Sequence, residues 1–220
     1  MKALWNVLLV CLVLSALPAF SATLTFPNNI CSASVDGSGS FIACANYGYI
    51  NEAYGDTATL NVTYQDNIFP GNSLRWWGPD YNNLLSAAWG GYGDCDGCAN
   101  NSIYLVPATG YKVTLSSFDI GAYYHTTRPT HVVIYEVGTN NVLVNYGMVT
   151  VGAGDVATTF APDVTSSLGV IINFYDSGYN AGIDNIDFTV SPVSVPEPAT
   201  LTLLGAGLIG LAGRARKLMQ

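Results

Sequence analysis

The sequence predicts an all-β fold, and three observations support this prediction. About eleven short segments are rich in β-branched and aromatic residues or alternate between apolar and polar residues, as β-strands do. Gly, Asn, Asp and Pro residues separate these segments at regular intervals. Between the two apolar ends of the chain, no segment shows the period of an amphipathic helix. We therefore predict a single β-sandwich of the jelly-roll kind.

The clearest strand is residues 58–64, in which apolar Leu60, Val62 and Tyr64 alternate with polar residues. Such alternation is typical of a strand with one face in the core and one in solvent. No repeat of fixed period, which a propeller or solenoid would need, is apparent. In chain order, the predicted strands are 24–26, 58–64, 73–77, 84–89, 103–106, 111–120, 131–137, 141–149, 156–160, 168–175 and 183–190.

The N-terminal end has the features of a signal peptide. Lys2 supplies a positive charge, residues 3–14 are mostly apolar, and small residues follow at Ala19 and Ser21. We expect cleavage after Ser21, with cleavage after Ala22 as the alternative. Signal peptidase is therefore an expected partner during export.

The C-terminal end has three parts in order: a Pro-Glu-Pro tripeptide, an apolar run and a basic cluster. They are Pro196, Glu197 and Pro198, then residues 199–213, then Arg214, Arg216 and Lys217. The apolar run is shorter than the roughly 20 residues that a helix needs to cross the hydrocarbon core unaided. The basic cluster would stay on the cytoplasmic side. We predict a short, weak transmembrane helix that holds the chain temporarily.

This order of parts resembles the PEP-CTERM sorting signal of Gram-negative bacteria that make extracellular polysaccharide. The resemblance implies that an exosortase in the inner membrane processes the protein at or near the tripeptide. It also implies delivery to the cell surface or the extracellular matrix after transient anchoring in the inner membrane. A plain C-terminal membrane anchor is the alternative. We expect a signal peptide at 1–21, the sandwich at 22–190, a linker at 191–195 and the sorting segment at 196–220.

Removal of both ends leaves a strongly acidic domain. Of the 7 basic residues only Arg75, Lys112 and Arg128 remain, whereas of the 15 acidic residues only Glu197 is lost, which gives a net charge of −11. Such a surface repels phosphate backbones and argues against nucleic acid as a partner.

Cysteine usage predicts disulfides in an oxidising compartment. The cysteines that remain after the signal peptide are Cys31, Cys44, Cys95 and Cys98. Proximity in sequence favours pairing the first with the second and the third with the fourth. For the Cys-x-x-Cys pair the alternatives are a redox motif or half a zinc site completed by His125 and His131.

A second resemblance, in the second half of the chain, concerns the fold of the exported domain. The segments GYKVTLSSFDIGAYY, TTFAPDVTSSLGVIINF and GIDNIDFTV resemble the jelly-roll domain of many PEP-CTERM proteins. That domain is itself similar to galactose-binding-like and carbohydrate-binding-module sandwiches. With YINEAYGDTATLNVTY and SLRWWGPDYNNLLSAAWGG upstream, the likeness covers most of residues 45–190. A shared fold does not by itself identify a ligand.

The same resemblance suggests one metal site. Galactose-binding-like domains often hold a structural calcium between the first and last strands, and here the last strand offers Asp184, Asn185 and Asp187. Strict alternation would place Asp184 on the opposite face from the other two. The first strand offers Asn28 and Asn29 but no carboxylate, and the loop at Asp36 could substitute, although it lacks the spacing of an EF-hand. The alternative is a strand-end turn whose side chains bond to neighbouring backbone. We predict no other cofactor.

A set of aromatic residues predicts a sugar-binding surface. Flat aromatic rings on a rigid β-platform suit the apolar faces of sugar rings, while nearby polar groups bind hydroxyls. The candidates are Trp76, Trp77, Tyr81, Trp89 and Tyr92. Because successive strand residues point to opposite faces, only one of Trp76 and Trp77 can face the core. The alternative is that these side chains fill the core or cover a sheet edge.

No catalytic set is apparent. Glu52 and Glu136 are the only glutamates of the exported domain, and His125 and His131 are its only histidines. Neither a Gly-x-Ser-x-Gly elbow nor a His-Glu-x-x-His motif occurs. We therefore predict a non-enzymatic surface or matrix protein that binds extracellular polysaccharide. The alternatives are a structural or adhesive matrix protein without a sugar site and a secreted polysaccharide hydrolase or lyase.

Overall fold

The computed structural model describes residues 19–92, 98–139, 141–175 and 180–193. Over these residues the regular structure is β-sheet, apart from one 3-10 turn at Ala153–Asp155. The strands form two antiparallel sheets, which confirms the predicted all-β sandwich. In these ranges no helix has the length and apolar character needed to span a membrane. Most of the predicted signal peptide and the whole sorting segment lie outside the described residues.

The first sheet has nine strands and the second has five. The first follows the order β11-β8-β14-β6-β5-β3-β2, with β1 paired to β14 and β12 paired to β8, and the second follows β10-β9-β13-β7-β4. The strands are β1 (Phe20–Leu24), β2 (Cys31–Ser32), β3 (Tyr49–Ile50), β4 (Leu60–Asp66), β5 (Arg75–Trp77), β6 (Ala87–Trp89), β7 (Asn100–Pro107), β8 (Tyr111–Ala122), β9 (Arg128–Glu136), β10 (Val142–Val151), β11 (Thr158–Phe160), β12 (Val164–Ser166), β13 (Val170–Tyr175) and β14 (Ala181–Pro192).

The core lies between the two sheets and follows the alternation seen in the sequence. In β4, Leu60, Val62 and Tyr64 are buried while the residues between them are exposed. From the other sheet, Phe118 of β8 is fully buried and stacks on Phe160, with ring centroids 5.2 Å apart. Burial of such apolar and aromatic surface is the main force that holds the sheets together.

The first strand differs from its prediction. The expected strand was 24–26, whereas β1 runs Phe20–Leu24 and pairs with β14 from Val190 to Ile186. The backbone groups of β14 need hydrogen-bond partners, and residues 20–24 supply them. This pairing outweighs the weak apolar pattern of residues 24–26, on which the predicted strand was based. The favoured cleavage site after Ser21 therefore falls inside β1.

One predicted disulfide is confirmed and tethers the loop that follows β2. Cys31 and Cys44 are bonded, with their Cα atoms 5.1 Å apart and a sequence separation of 13. Cys31 also forms an isolated β-bridge with Ile42, so the loop folds back as a hairpin. Cys98 is disulfide-bonded as well. Its predicted partner Cys95 lies outside the described residues.

Candidate functional site

The two adjacent tryptophans of β5 point in opposite directions. Trp76 is only 9% exposed, lies in the core, and its Nε1 donates a hydrogen bond to the Phe26 carbonyl at 2.7 Å. Trp77 is half-buried and its Nε1 donates to Oδ2 of Asp80 at 3.3 Å. Strand alternation commits Trp76 to the core, so of the two predicted ligand-binding tryptophans of β5 only Trp77 reaches the outer face.

The segment between β5 and β6 lies flat on the outer face of the nine-stranded sheet, because small residues lie beneath it. A Cβ atom at Gly182 would lie 2.7 Å from Cβ of Ala87 and 2.9 Å from the ring of Tyr81. A Cβ atom at Gly121 would lie 2.6 Å from the Tyr81 carbonyl oxygen. Distances this short exclude a larger side chain at either glycine. The two glycines therefore let Tyr81 pack directly against β8 and β14.

Five aromatic side chains enclose a small cleft on this outer face, which we call the aromatic cleft. Its cavity has a volume of about 80 Å³ and is lined by Tyr47, Trp77, Tyr81, Trp89 and Tyr123. Tyr81 and Trp89 are 1% exposed and form the floor, whereas Tyr47 is 59% exposed. Trp77 and Tyr123 are half-buried and form the remaining walls.

Edge-to-face contacts hold these rings. The centroid of Trp77 lies 4.8 Å from that of Tyr47 and 5.4 Å from that of Tyr123, with the ring planes almost perpendicular in both pairs. Trp89 lies 6.3 Å from Trp77 and 5.7 Å from Tyr47 in the same geometry. Such contacts favour fixed ring orientations. The cleft is therefore formed before any ligand arrives.

Charged and polar groups surround the cleft. The Arg75 guanidinium lies 5.2 Å from the ring centroid of Trp89, a cation–π contact. The Asp80 carboxylate lies beside Trp77, to which it is hydrogen-bonded as described. Asn46 accepts a hydrogen bond from the Gly78 amide at 3.0 Å and so fixes the start of the segment between β5 and β6. An apolar floor with a few polar groups at its edge is the usual composition of a small-ligand site.

The buried amide of Asn82 joins three segments around the cleft, in an arrangement that we call the Asn82 clasp. Its Oδ1 accepts a hydrogen bond from the Ala122 amide at 2.5 Å, and its Nδ2 donates to the Thr126 carbonyl at 3.1 Å and to Oδ1 of Asp155 at 3.3 Å. The same Asp155 oxygen lies 2.8 Å from Nδ1 of His125. The hydrogen bond with His125 has the largest effect on the pKa of the Asp155 carboxyl and lowers it, and the hydrogen bond from Asn82 lowers it further.

The clasp lies next to two rings of the cleft. Asn82 follows Tyr81 in the chain and Ala122 precedes Tyr123, and the two tyrosines form an isolated β-bridge with ring centroids 5.4 Å apart. The clasp therefore positions both rings through the backbone.

The residues of the candidate calcium set hydrogen-bond with other protein groups. Asp184 is 4% exposed, and burial, with a smaller contribution from the negative charge of Asp119, raises its pKa to about 6. Backbone amides of Asn185 and Phe26 donate to its carboxylate and partly oppose this shift. Asn185 has a φ of 51°, and its side-chain amide donates to Asp119 Oδ2 at 2.9 Å.

Asp187, the third member of that set, accepts hydrogen bonds from Thr23 and, at 3.1 Å, from Ser117. The pairing of β14 with β8 shifts register between Asp184 and Asp187, so strict alternation does not hold across this segment. In the part of the chain that the structure describes, no three His, Cys, Asp or Glu side chains are grouped to hold a metal. Calcium at this position stays a prediction.

The candidate catalytic side chains do not form part of the aromatic cleft, and three of them have other partners. Glu136 accepts a hydrogen bond from Ser166 at 2.9 Å, His125 pairs with Asp155 in the clasp, and His131 stacks on Tyr175. Glu52 is exposed in the turn after β3. None of the four lines the cleft.

Among the predicted aromatic residues, the structure brings Trp77, Tyr81 and Trp89 together. Tyr92 is 55% exposed, packs on Phe69 with ring centroids 5.8 Å apart, and does not line the cleft. Sequence reasoning missed Tyr47 and Tyr123, whose positions in the fold depend on distant segments. The turn-like Asn-Tyr-Gly sequence around Tyr47, which has a φ of 73°, was a local signal that could have drawn attention to it.

Fold and site together define an all-β sandwich with an aromatic cleft on an outer sheet face. Residues 194–217 match the family model described as the PEP-CTERM protein-sorting motif. This match confirms the sorting signal predicted from the Pro-Glu-Pro tripeptide, the apolar run and the basic cluster. The motif implies an exported protein that is processed by an exosortase.

The other comparisons add little. No curated protein matches the chain. Among solved structures, a GH26-CBM35 β-(1,4)-mannanase from Podospora anserina is similar over 57% of this chain and 29% of its own, with 16% identity and a TM-score of 0.28. At that score the likeness carries no argument about ligand or activity.

Proposed function

We propose that this is a non-enzymatic protein of the cell surface or extracellular matrix that binds extracellular polysaccharide in its aromatic cleft. The observation that carries the proposal is the cleft itself, with two buried rings as its floor and the more exposed Tyr47 and Trp77 as walls. The sorting motif at residues 194–217 supports the location, because it marks a protein for export.

The chemistry of the cleft suits a sugar ring. The apolar C–H face of a sugar can pack on the wall formed by Trp77, while its hydroxyls can bond to the Asp80 carboxylate and to the hydroxyl groups of the surrounding tyrosines. Because edge-to-face contacts already orient the rings, binding requires little reordering of the protein, and preorganisation of this kind increases affinity. The small cavity volume, about 80 Å³, fits contact with part of one sugar unit rather than enclosure of a chain.

Affinity electrophoresis of the exported, oxidised protein tests the proposal. The gels contain the extracellular polysaccharide of the host, with calcium or with chelator. We expect the polysaccharide to retard the protein and Trp77→Ala to weaken binding at least about tenfold, as loss of a central aromatic contact usually does. Tyr92→Ala is the matched control, because Tyr92 is exposed and aromatic but lies outside the cleft.

The other outcomes are informative. If the unaltered protein migrates without retardation in both conditions, a structural or adhesive matrix role replaces the proposal. Equal retardation of the Trp77→Ala variant and its parent would remove the cleft as the binding site. Release of reducing ends from the polysaccharide by the purified protein would instead establish a hydrolase, and Glu52, Glu136 and His125 would be the first residues to substitute.

A further inference from the structure

The outer face of the five-stranded sheet lies on the opposite side of the sandwich from the aromatic cleft and presents a second ordered surface. Strand pairing of β13 with β7 and with β9 arranges its side chains in rows across three strands. The rows are Tyr104, Ile171 and Tyr135, then Ser102, Asn173 and Val133, then Asn100, Tyr175 and His131. We call this surface the tyrosine–amide face.

The amides on this face are held in place by one another. Asn173 is 9% exposed, and its Nδ2 lies 2.9 Å from Asn100 Oδ1 and 3.1 Å from Ser102 Oγ. Asn67 donates to the same two acceptors at 3.1 and 2.9 Å. A shared network of this kind fixes the orientation of each amide. Side chains of one register row therefore reach those of the next.

Aromatic rings flank the amides on both sides. His131 and Tyr175 are stacked, with centroids 4.7 Å apart and an angle of 11° between the rings. Tyr104 and Tyr135 are half-buried and lie on either side of Ile171, so about 10 Å separates their strands. Two ring surfaces at this spacing provide stacking contacts for an extended chain of sugar units. Ser102 and Val133 of the middle row are each 3% exposed, so hydrogen bonds to such a chain would come from the exposed Asn100 at the edge of the face.

The lack of charge on this face indicates which kind of polysaccharide it would bind. Apart from His131, none of the side chains in the three rows carries a charge near neutral pH, although the exported domain as a whole is strongly acidic. An anionic polymer would gain no cation here and would be repelled by the rest of the domain. An uncharged, hydroxyl-rich polymer suffers no such repulsion and can use both the rings and the exposed Asn100 amide.

We propose that the tyrosine–amide face is a second binding surface, independent of the aromatic cleft, for an extended uncharged polysaccharide. A domain that binds on two opposite sides can join two polysaccharide chains, which a single cleft cannot do. Joining chains would raise the apparent affinity for the polymer by multivalency. It would also give the protein a part in the cohesion of the matrix.

The test uses Trp77→Ala as its background, so that failure of the cleft and failure of this face are distinguishable. The exported protein runs through gels containing hydroxyethylcellulose, a neutral polymer, or polygalacturonate, an anionic one. We expect the Trp77→Ala variant to remain retarded by hydroxyethylcellulose and not by polygalacturonate. Adding Tyr104→Ala and Tyr135→Ala should weaken that residual binding at least about fivefold. Tyr104→Phe with Tyr135→Phe retains both rings and should keep most of it.

A second measurement does not depend on the stability of the alanine variants. In the Trp77→Ala protein, cellohexaose should shift the NMR signals of the Tyr104 and Tyr135 rings, and the Tyr92 ring should stay unchanged. Unretarded migration of the Trp77→Ala variant, or unchanged ring signals, would overturn the proposal. A dimer that Tyr104→Ala and Tyr135→Ala convert to a monomer would also overturn it, because the face would then belong to a second copy of the chain.

Discussion

The inter-sheet core and the cluster around the aromatic cleft both bury aromatic side chains, but they obtain them in different ways. In the core, Phe118 and Phe160 face the opposite sheet and stack face to face on neighbouring strands. At the cleft, Trp77 contacts Tyr123 edge to face and Tyr81 contacts it in a tilted geometry, on an outer face where glycines leave room for Tyr81. The core thus depends on the binary pattern of the strands, whereas the cleft depends on how loops cross a sheet.

Phe118→Ala should produce the largest difference between the effect on stability and the effect on binding. Removing a fully buried ring from the core should lower the free energy of unfolding by about 3–5 kcal/mol. At temperatures where the variant is still folded, binding to the host polysaccharide should stay within about twofold of the parent, because the ring does not reach the cleft. Chemical denaturation and affinity electrophoresis provide the two readouts. Loss of binding in a variant that is still folded would show that the core and the cleft are coupled.

Asn82→Ala, in contrast, should weaken binding strongly and lower stability only moderately. The substitution leaves the Ala122 amide without its acceptor and places alanine at a φ of 51°, which together should cost about 2–3 kcal/mol of unfolding free energy. Binding should fall about tenfold or more, because Tyr81 and Tyr123 lose their common support.

Asn82→Gly separates the two causes, since glycine adopts positive φ without strain. We expect the glycine variant to regain part of the stability but not the binding. Recovery of both would mean that backbone strain alone explained the effect and that the clasp does not position the rings.

The smallest effect, and one of opposite sign, is expected for Asp184→Asn. The pKa of Asp184 is about 6 in the folded protein against an ordinary value of 3.8, so the folded state holds this proton more tightly than the unfolded state. Stability from this group is therefore present below the unfolded pKa and is lost as pH rises from about 4 through 6. At pH 7.5 the asparagine variant should be more stable by about 2 kcal/mol, and its unfolding free energy should vary less with pH in that window.

The same variant tests the calcium prediction. Calcium bound through Asp184 would raise the Tm of the parent at pH 7.5 and leave that of Asp184→Asn unchanged. Asp163→Asn is the matched control, because Asp163 is exposed in the loop between β11 and β12 and is not part of the candidate calcium set. Equal responses of the parent and Asp184→Asn would remove Asp184 from any calcium site, and an unchanged pH profile would contradict its raised pKa.

Sequence reasoning reached the sandwich because strand alternation is a local property. It predicted the buried residues of β4 and the Cys31–Cys44 disulfide, and it recognised that only one of Trp76 and Trp77 could face the core. The short strands β2, β3 and β12 were missed, since two or three residues are too few to show a period.

The cleft was predicted only in part, for a different reason. Tyr47 and Tyr123 reach it from segments far from Trp77 in sequence, and nothing local to either tyrosine specifies that meeting. Near Asp184 a register shift interrupts the alternation on which the predicted faces depended. Such shifts are a property of strand pairing and cannot be derived from the pattern of one strand.

The path of β14 sets the distance between the two ends of the molecule. Its first residue, Ala181, pairs with Ala122 beside the cleft, while its last, Pro192, immediately precedes the region of the sorting motif. A strand of 12 residues is about 35–40 Å long at roughly 3.3 Å per residue. β1 pairs along the late half of the same strand, so the N-terminus left by the predicted cleavage after Ser21 would emerge at that end too. A domain tethered by its C-terminus would therefore carry the cleft at its far tip, one strand length beyond the point of attachment.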